Sequence, residues 1–152
     1  MRKLKKVFGI ILVCSLVLGL GTVTYAKEQE ERIDGSFLTT EDESFGESLG
    51  ITRGVYYQSG FAYIGKAGEG KITAGGTTDA NMTCKVEINV IVERLVNGKW
   101  TRYTSWFASK TGTTITSSKT LTVPRGYYYR VACDHYAGPD SSGSYTNGIY
   151  IA

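Results

Sequence analysis

The chain is poor in the residues from which many catalytic and metal sites are built. Among 152 residues it has 1 histidine, 3 cysteines and 2 prolines. One histidine and two cysteines without ligand spacing after residue 26 do not provide a zinc site, and no Gly-x-Ser-x-Gly elbow of a serine hydrolase occurs. We therefore expect no metal, no cofactor and no enzymatic activity. Few prolines with 12% aromatic residues favour a folded chain, and the length fits one domain.

The chain also lacks a basic surplus once its N-terminus is removed. Four basic residues among the first six precede an uncharged run at 7–23, and small residues stand before a cut after Ala26. This layout predicts a signal peptide at 1–26, cleavage and secretion to the extracellular space. The run is shorter than the roughly 20 residues that span a membrane, so we expect no membrane insertion after cleavage. Residues 27–152 carry 13 basic and 14 acidic residues, which gives no support to a nucleic-acid partner.

Charge divides the remaining chain into two parts. Residues 27–50 have eight acidic and two basic residues, a net charge of −6, whereas residues 51–152 have a net charge of +5. Few apolar residues interrupt the acidic part, which predicts a poorly ordered, solvated segment. Two alternatives are that this segment lies across its own basic domain, or that it is a pro-segment.

Short β-strands are predicted throughout residues 51–152. Apolar and polar residues alternate from Met82 to Val92, which is typical of a strand with one buried face. Asn97-Gly98 supplies the two positive-φ positions of a tight hairpin turn before a second β-rich run. That run is Lys99 to Phe107, and further candidates are 55–58, 61–66, 71–74, 113–123, 127–137 and 148–151, with breaks such as 75–81 and 138–148.

Seven or eight strands in about a hundred residues predict an all-β domain folded as a two-sheet antiparallel β-sandwich. The stretch LTVPRGYYYRV at 121–131 looks like a strand–turn–strand corner of immunoglobulin-type and fibronectin-type sandwiches. The predicted sandwich therefore resembles those folds in outline. A small barrel is the alternative.

Two cysteines, Cys84 and Cys133, remain after cleavage, and the alternation of their strands points both toward the interior. An even pair in a secreted protein favours a disulfide, which would contribute about 4 kcal/mol by closing its loop. The alternative is two buried free thiols that pack as small apolar groups. Either role is structural.

Two motifs resemble catalytic sequences without matching them. Residues 65–71, GKAGEGK, approach a phosphate-binding loop, but Ile72 replaces the Ser or Thr that ligates magnesium, so we expect a glycine-rich turn. His135 follows Asp134 and lies two residues after Cys133 on one predicted strand, where the thiol and the imidazole do not face each other. We expect a strand-end histidine with local hydrogen bonds. An enzyme built around Asp134 and His135 is the least favoured function.

The remaining candidate site is a surface. The more polar face of strand 127–137 carries Tyr128, Arg130 and Tyr136, and Tyr and Arg are residues that binding interfaces favour. These three are the predicted contact residues, although tyrosine is also common in ordinary strands. Trp100 and Trp106 are expected on one side of their strand, with at least one in the core.

Five segments carry a resemblance to a known family. They are ERIDGSFLTT at 31–40, KAGEGKI at 66–72, LTVPRGYYYRV at 121–131, DHYAG at 134–138 and GI at 148–149. Together they resemble a family of small secreted proteins of Gram-positive, mostly clostridial, bacteria. The resemblance implies a secreted all-β protein and supplies no activity, ligand or catalytic residue.

These observations favour a secreted, non-enzymatic protein that binds a glycan or a protein at or near the cell envelope. The second hypothesis is a secreted toxin, bacteriocin or inhibitor whose acidic segment, residues 27–50, masks the basic domain until proteolysis. The two hypotheses predict different mature N-termini, near residue 27 and near residue 50.

Overall fold

The computed structural model describes residues 31–49 and 54–152, in which the regular elements are all β-strands. The predicted all-β class is confirmed. The predicted signal peptide at 1–26 lies outside the described residues. No helix in the described part is long and apolar enough to cross a membrane. The strands are β1 (Arg32–Ile33), β2 (Ser36–Thr39), β3 (Glu43–Leu49), β4 (Tyr57–Lys66), β5 (Lys71–Val96), β6 (Lys99–Thr122), β7 (Tyr127–Ala137), β8 (Asp140–Tyr145) and β9 (Gly148–Ile151).

The longest element is the hairpin of β5 and β6. Asn97 and Gly98 at its turn have φ of +51° and +74°, the left-handed values that a two-residue hairpin turn requires. The predicted hairpin is confirmed, but its arms are longer than expected. The two strands expected on either side of 75–81 merge into β5, and two more merge into β6.

The β5–β6 hairpin bends sharply near its middle. The register shifts between Asp79 and Cys84, where β5 has more residues than the opposite part of β6. Trp106 Nε1 donates to Ser117 Oγ at 2.9 Å although the two residues are 11 positions apart on the same strand. A straight strand of that length would span about 36 Å. The hairpin therefore folds back, and its two halves face each other across the core.

One hydrogen-bonded sheet contains all nine strands, in the order β1-β2-β9-β7-β8-β3-β4-β5-β6 with an additional β7–β5 pairing. β4 pairs with β5 along residues 72–80 and β7 pairs with it along residues 86–94, while β6 follows the other edge. β2 and β9 are parallel, so the sheet is mixed. The sequence predicted seven or eight strands in two sheets. Over the described residues, the structure instead joins nine strands into one sheet, because the bent β5 pairs with β4 in its first half and with β7 in its second half.

The core lies between the two halves of the bent sheet. Alternate residues of β7 and of the second half of β5, which pair with each other, supply one wall, and alternate residues of β4 and of the first half of β5 supply the other. Each buried Val or Ile side chain stabilises the fold by about 1.5–3 kcal/mol. Met82 was expected on the buried face but is 42% exposed, because the register shift before Cys84 interrupts the alternation. The core side chains include Ile64, Ile72, Val86, Ile88, Val90, Val92, Tyr129, Val131, Cys133 and Ile149.

The acidic segment is part of the sheet over its described residues, 31–49. β3 pairs with β4 along residues 43–47 and with β8 at residues 48–49, and β2 pairs with β9. Lys66 Nζ also lies 3.0 Å from Asp42 Oδ1. This differs from the expected poorly ordered segment. Backbone pairing and a few buried groups such as Ser36 compensate for its low apolar content.

The tryptophans lie on opposite faces, contrary to the sequence-based expectation. A second register shift, between Val92 and Glu93, adds Tyr103 to β6 and reverses its alternation. Trp106 consequently packs against the core. Trp100 lies on the outer face, where its ring contacts Arg130.

Candidate functional site

The predicted contact residues Tyr128, Arg130 and Tyr136 lie on the side of β7 that faces away from the core. Tyr136 is 37% exposed. Tyr128 is half-buried against Tyr150, with 5.1 Å between ring centroids. Only Tyr136 of the three is therefore freely exposed, and the buried Arg130 lies between the two tyrosines. A binding role for Tyr128 and Tyr136 stays a prediction.

Arg130 is buried and already bonded. Its Nε donates to Glu93 Oε2 at 2.7 Å, and its Nη1 donates to Ser36 Oγ at 2.9 Å and to the Asp34 carbonyl at 3.0 Å. The guanidinium also lies 4.7 Å from the Trp100 ring centroid. With 8% exposure, this side chain holds the β1–β2 hairpin against β7 and is not available to a ligand.

The two cysteines are free thiols, so the predicted disulfide is not formed. Cys133 is the register partner of Val90, and Cys84 precedes Val90 by six residues on the same strand. Six strand residues span about 20 Å, far beyond the reach of a disulfide. Burial raises the pKa of the Cys133 thiol to about 12, which keeps it protonated and unreactive.

His135 lies in the core in a closed hydrogen-bond network. Thr78 Oγ1 donates its one hydrogen to the Glu87 carbonyl at 3.1 Å, so it accepts the bond from His135 Nδ1 at 2.8 Å. His135 Nε2 then accepts from Ser144 Oγ at 2.7 Å. Burial lowers the pKa of His135 to about 4, against the smaller raising effects of Asp134 and Asp79. The ring is therefore neutral, fully bonded and inaccessible.

The most exposed aromatic cluster lies elsewhere, on the outer face of β3 and β4. Phe45 is 60% exposed and Phe61 is 37% exposed. Phe45 is the register partner of Tyr63, and their ring centroids are 4.7 Å apart with 40° between the planes. Strand alternation places all three rings opposite the core residues Ala62 and Ile64.

A shallow groove of about 340 Å³ continues from these rings across β5 and β6. Its floor is Gly75, where a Cβ would lie 2.5 Å from the Ser117 carbonyl, so the close approach of β6 requires glycine. Hydroxyls surround this floor, and two of them, on Thr77 and Thr116, are 2.8 Å apart. We call this surface the aromatic face; it comprises Phe45, Phe61, Tyr63, Thr73, Gly75, Thr77, Thr116 and Ser118.

Sequence reasoning missed the aromatic face for two reasons. Phe45 lies in the acidic segment, which was expected to be poorly ordered. Phe61 and Tyr63 were placed in a strand whose orientation was not assigned. Their alternation with the small or aliphatic residues Ala62 and Ile64 was a usable signal, since exposed aromatic residues on one strand face are typical of binding surfaces.

Neither protein-family models nor curated proteins match this chain, so the resemblance rests on its five sequence segments alone.

Proposed function

We propose that the chain is a secreted, non-enzymatic protein that binds a glycan at or near the cell envelope through the aromatic face. The observation that carries this proposal is the exposed Phe45 ring, which packs at 40° against Tyr63 and is continued by a glycine floor with threonine and serine hydroxyls. Flat rings contact the apolar C–H faces of sugars, and hydroxyls bond the sugar hydroxyls.

A glycan fits this groove better than an extended peptide. β4 and β5, which form the centre of the groove, are hydrogen-bonded on both edges, and the edge of β6 that is unpaired within the described residues is the one away from β5, so a peptide lying in the groove finds no open strand to extend. Recognition must therefore use side chains and ring faces, as sugar recognition does.

The state of the candidate catalytic groups supports a binding role. Both ring nitrogens of His135 are bonded inside the core, and the Cys133 thiol is buried and protonated. Neither group reaches a surface where a substrate could meet it.

The two-layer sandwich of the immunoglobulin type also stays a proposal. Tyr129 Oη donates to the Pro124 carbonyl at 2.7 Å, five residues upstream, which is the bond of a tyrosine corner in such sandwiches. The Trp106–Ser117 bond supports the stacking of the two halves.

Paired aromatic variants test the proposed surface. We expect Phe45→Ala with Tyr63→Ala to weaken retention on insoluble cell-wall glycan about tenfold, because stacking area is lost from an exposed face. The matched control is Tyr128→Ala with Tyr136→Ala, which removes two rings from β7. Melting temperatures of both variants should stay close to that of the parent protein. Equal retention of the parent and the first variant, or loss only in the control, would overturn the proposal.

A further inference from the structure

The aromatic face has a charge of one sign along β3. Glu43 and Glu47 are exposed and alternate with Phe45, so the Cα atom of one glutamate lies about 7 Å along the strand from that of Phe45 on each side. Glu43 lines the groove itself, and Glu47 lines the adjacent cavity that shares Phe45 and Phe61 with it. Within residues 31–49 and 54–152, neither forms an ion pair, whereas the neighbouring Asp42 is paired with Lys66.

We infer that the glycan bound at this face carries free amino groups, as a de-N-acetylated amino-sugar polymer does. This inference rests on the proposed function and adds the ligand's charge. A protonated sugar amine gains from a nearby carboxylate, and the electron-rich faces of Phe45 and Tyr63 also attract a cation. The same two carboxylates repel uronic acids and phosphate-bearing glycans.

The placement of the charges favours a sugar amine over a basic peptide. Phe45 occupies the centre of the β3 row opposite Tyr63, and the two glutamates occupy its ends, with Glu47 opposite Phe61. Stacking and charge contacts therefore fall on successive units of one polymer. Lys71 is on the same face of β5 and lies two strands across from β3 and two residues beyond Thr73, the residue in register with Glu43.

Three hexasaccharides with the same β-1,4 backbone isolate the effect of the amine. They are the oligomers of glucose, N-acetylglucosamine and glucosamine, titrated calorimetrically into the full mature protein at about pH 6 and low salt. We expect the glucosamine hexamer to bind about tenfold more tightly than the other two, which corresponds to two exposed charge contacts. Raising the salt concentration should remove most of this preference, since exposed charges are screened.

Variants separate this inference from the proposed function. Glu43→Gln with Glu47→Gln should abolish the preference and leave the glucose hexamer unchanged. Glu31→Gln with Glu69→Gln makes the same change in net charge away from the face and should preserve the preference. Phe45→Ala should weaken all three hexamers.

The contradicting outcomes are distinct. Equal affinities for the three hexamers, or a preference that survives Glu43→Gln with Glu47→Gln, would overturn the inference and leave glycan binding intact. Tighter binding of an oligolysine peptide than of the glucosamine hexamer, with the same glutamate dependence, would reassign the site to basic peptides. Binding of none of these probes would overturn the proposed function as well.

Discussion

At the scale of single residues, His135 shows how burial sets the protonation of a side chain. Its imidazole is 0% exposed and makes one bond as donor and one as acceptor, which only the neutral ring does. A protonated ring would have to donate to Ser144, whose hydroxyl already donates to it. The folded state therefore binds a proton at His135 less readily than the unfolded state does.

Acid should destabilise the protein through this histidine. The pKa of His135 falls from 6.5 to about 4 in the folded state, so the unfolded state binds more protons between those values. We expect the free energy of unfolding to decrease by up to about 3 kcal/mol as the pH falls through that range. Urea denaturation of the parent and of His135→Gln, at several pH values between 7.5 and 4, measures it. The difference between the two curves should flatten above pH 6.5; identical pH dependence would contradict the assignment.

At the scale of elements, Arg130 connects the N-terminal strands to the rest of the sheet. It bonds Glu93 on β5, Asp34 in the β1–β2 turn and Ser36 on β2. Trp100 adds a second tether, because its Nε1 donates to the Ile33 carbonyl at 3.0 Å. The β1–β2 hairpin is too short to be stable alone, so these contacts position it.

Removing the Arg130 tether should cost far more than removing an exposed arginine. We expect Arg130→Ala to lower the free energy of unfolding by about 3 kcal/mol, because Glu93, whose side chain is 19% exposed, would lose its partner, and the bonds to Asp34 and Ser36 would be lost with it. Arg125→Ala breaks the exposed Arg125–Glu69 pair and should cost about 1 kcal/mol or less. Urea denaturation midpoints measure both effects. Equal small losses would show that the Arg130 network does not stabilise the fold.

Local signals in the sequence predicted the strands, and tertiary contacts decided how they combine. The Asn97-Gly98 turn was predictable because its backbone angles depend on two residues alone. The two register shifts between β5 and β6 were not, since each depends on how the bent hairpin packs on itself. Those shifts moved Met82 out of the core and Trp100 to the outer face.

The candidate site was likewise predictable where it depends on local sequence and unpredictable where it depends on tertiary contacts. Tyr128, Arg130 and Tyr136 share the outer face of β7, as the alternation of the strand predicted, because alternation is a local property. The burial of Arg130 was not predictable, since it depends on contacts with Asp34 and Ser36, which are almost a hundred residues away in the sequence. The aromatic face requires β3, β4, β5 and β6 side by side, a pairing that no local pattern encodes.

At the scale of the whole molecule, the acidic segment belongs to the folded unit. β3 is hydrogen-bonded to β4 and β8 and carries Phe45. Cleavage near residue 50 would remove β3. It would thereby expose the edges of β4 and β8 and remove Phe45 from the aromatic face. This disfavours the toxin or inhibitor hypothesis, in which the segment is discarded.

The proposed secretion predicts that the protein recovered from culture supernatant begins at Lys27. We expect both thiols to be reduced, with Cys84 alkylated in the native protein faster than Cys133, because Cys84 is half-buried and Cys133 is 1% exposed. Mass spectrometry with and without alkylation measures both the N-terminal residue and the state of the two thiols. A chain starting near residue 50 would favour the pro-segment hypothesis, and an unalkylated chain about two mass units lighter would show a disulfide.

Glycan binding at the aromatic face is tested most directly by mapping which residues a glycan contacts. Backbone amide shifts of the labelled mature chain, followed during titration with the glucosamine hexamer, provide this map. We expect the largest shifts at Phe45, Phe61, Tyr63 and Gly75, with little change along β7. Shifts centred on Tyr128 and Tyr136, or no shifts at any hexamer concentration, would contradict it.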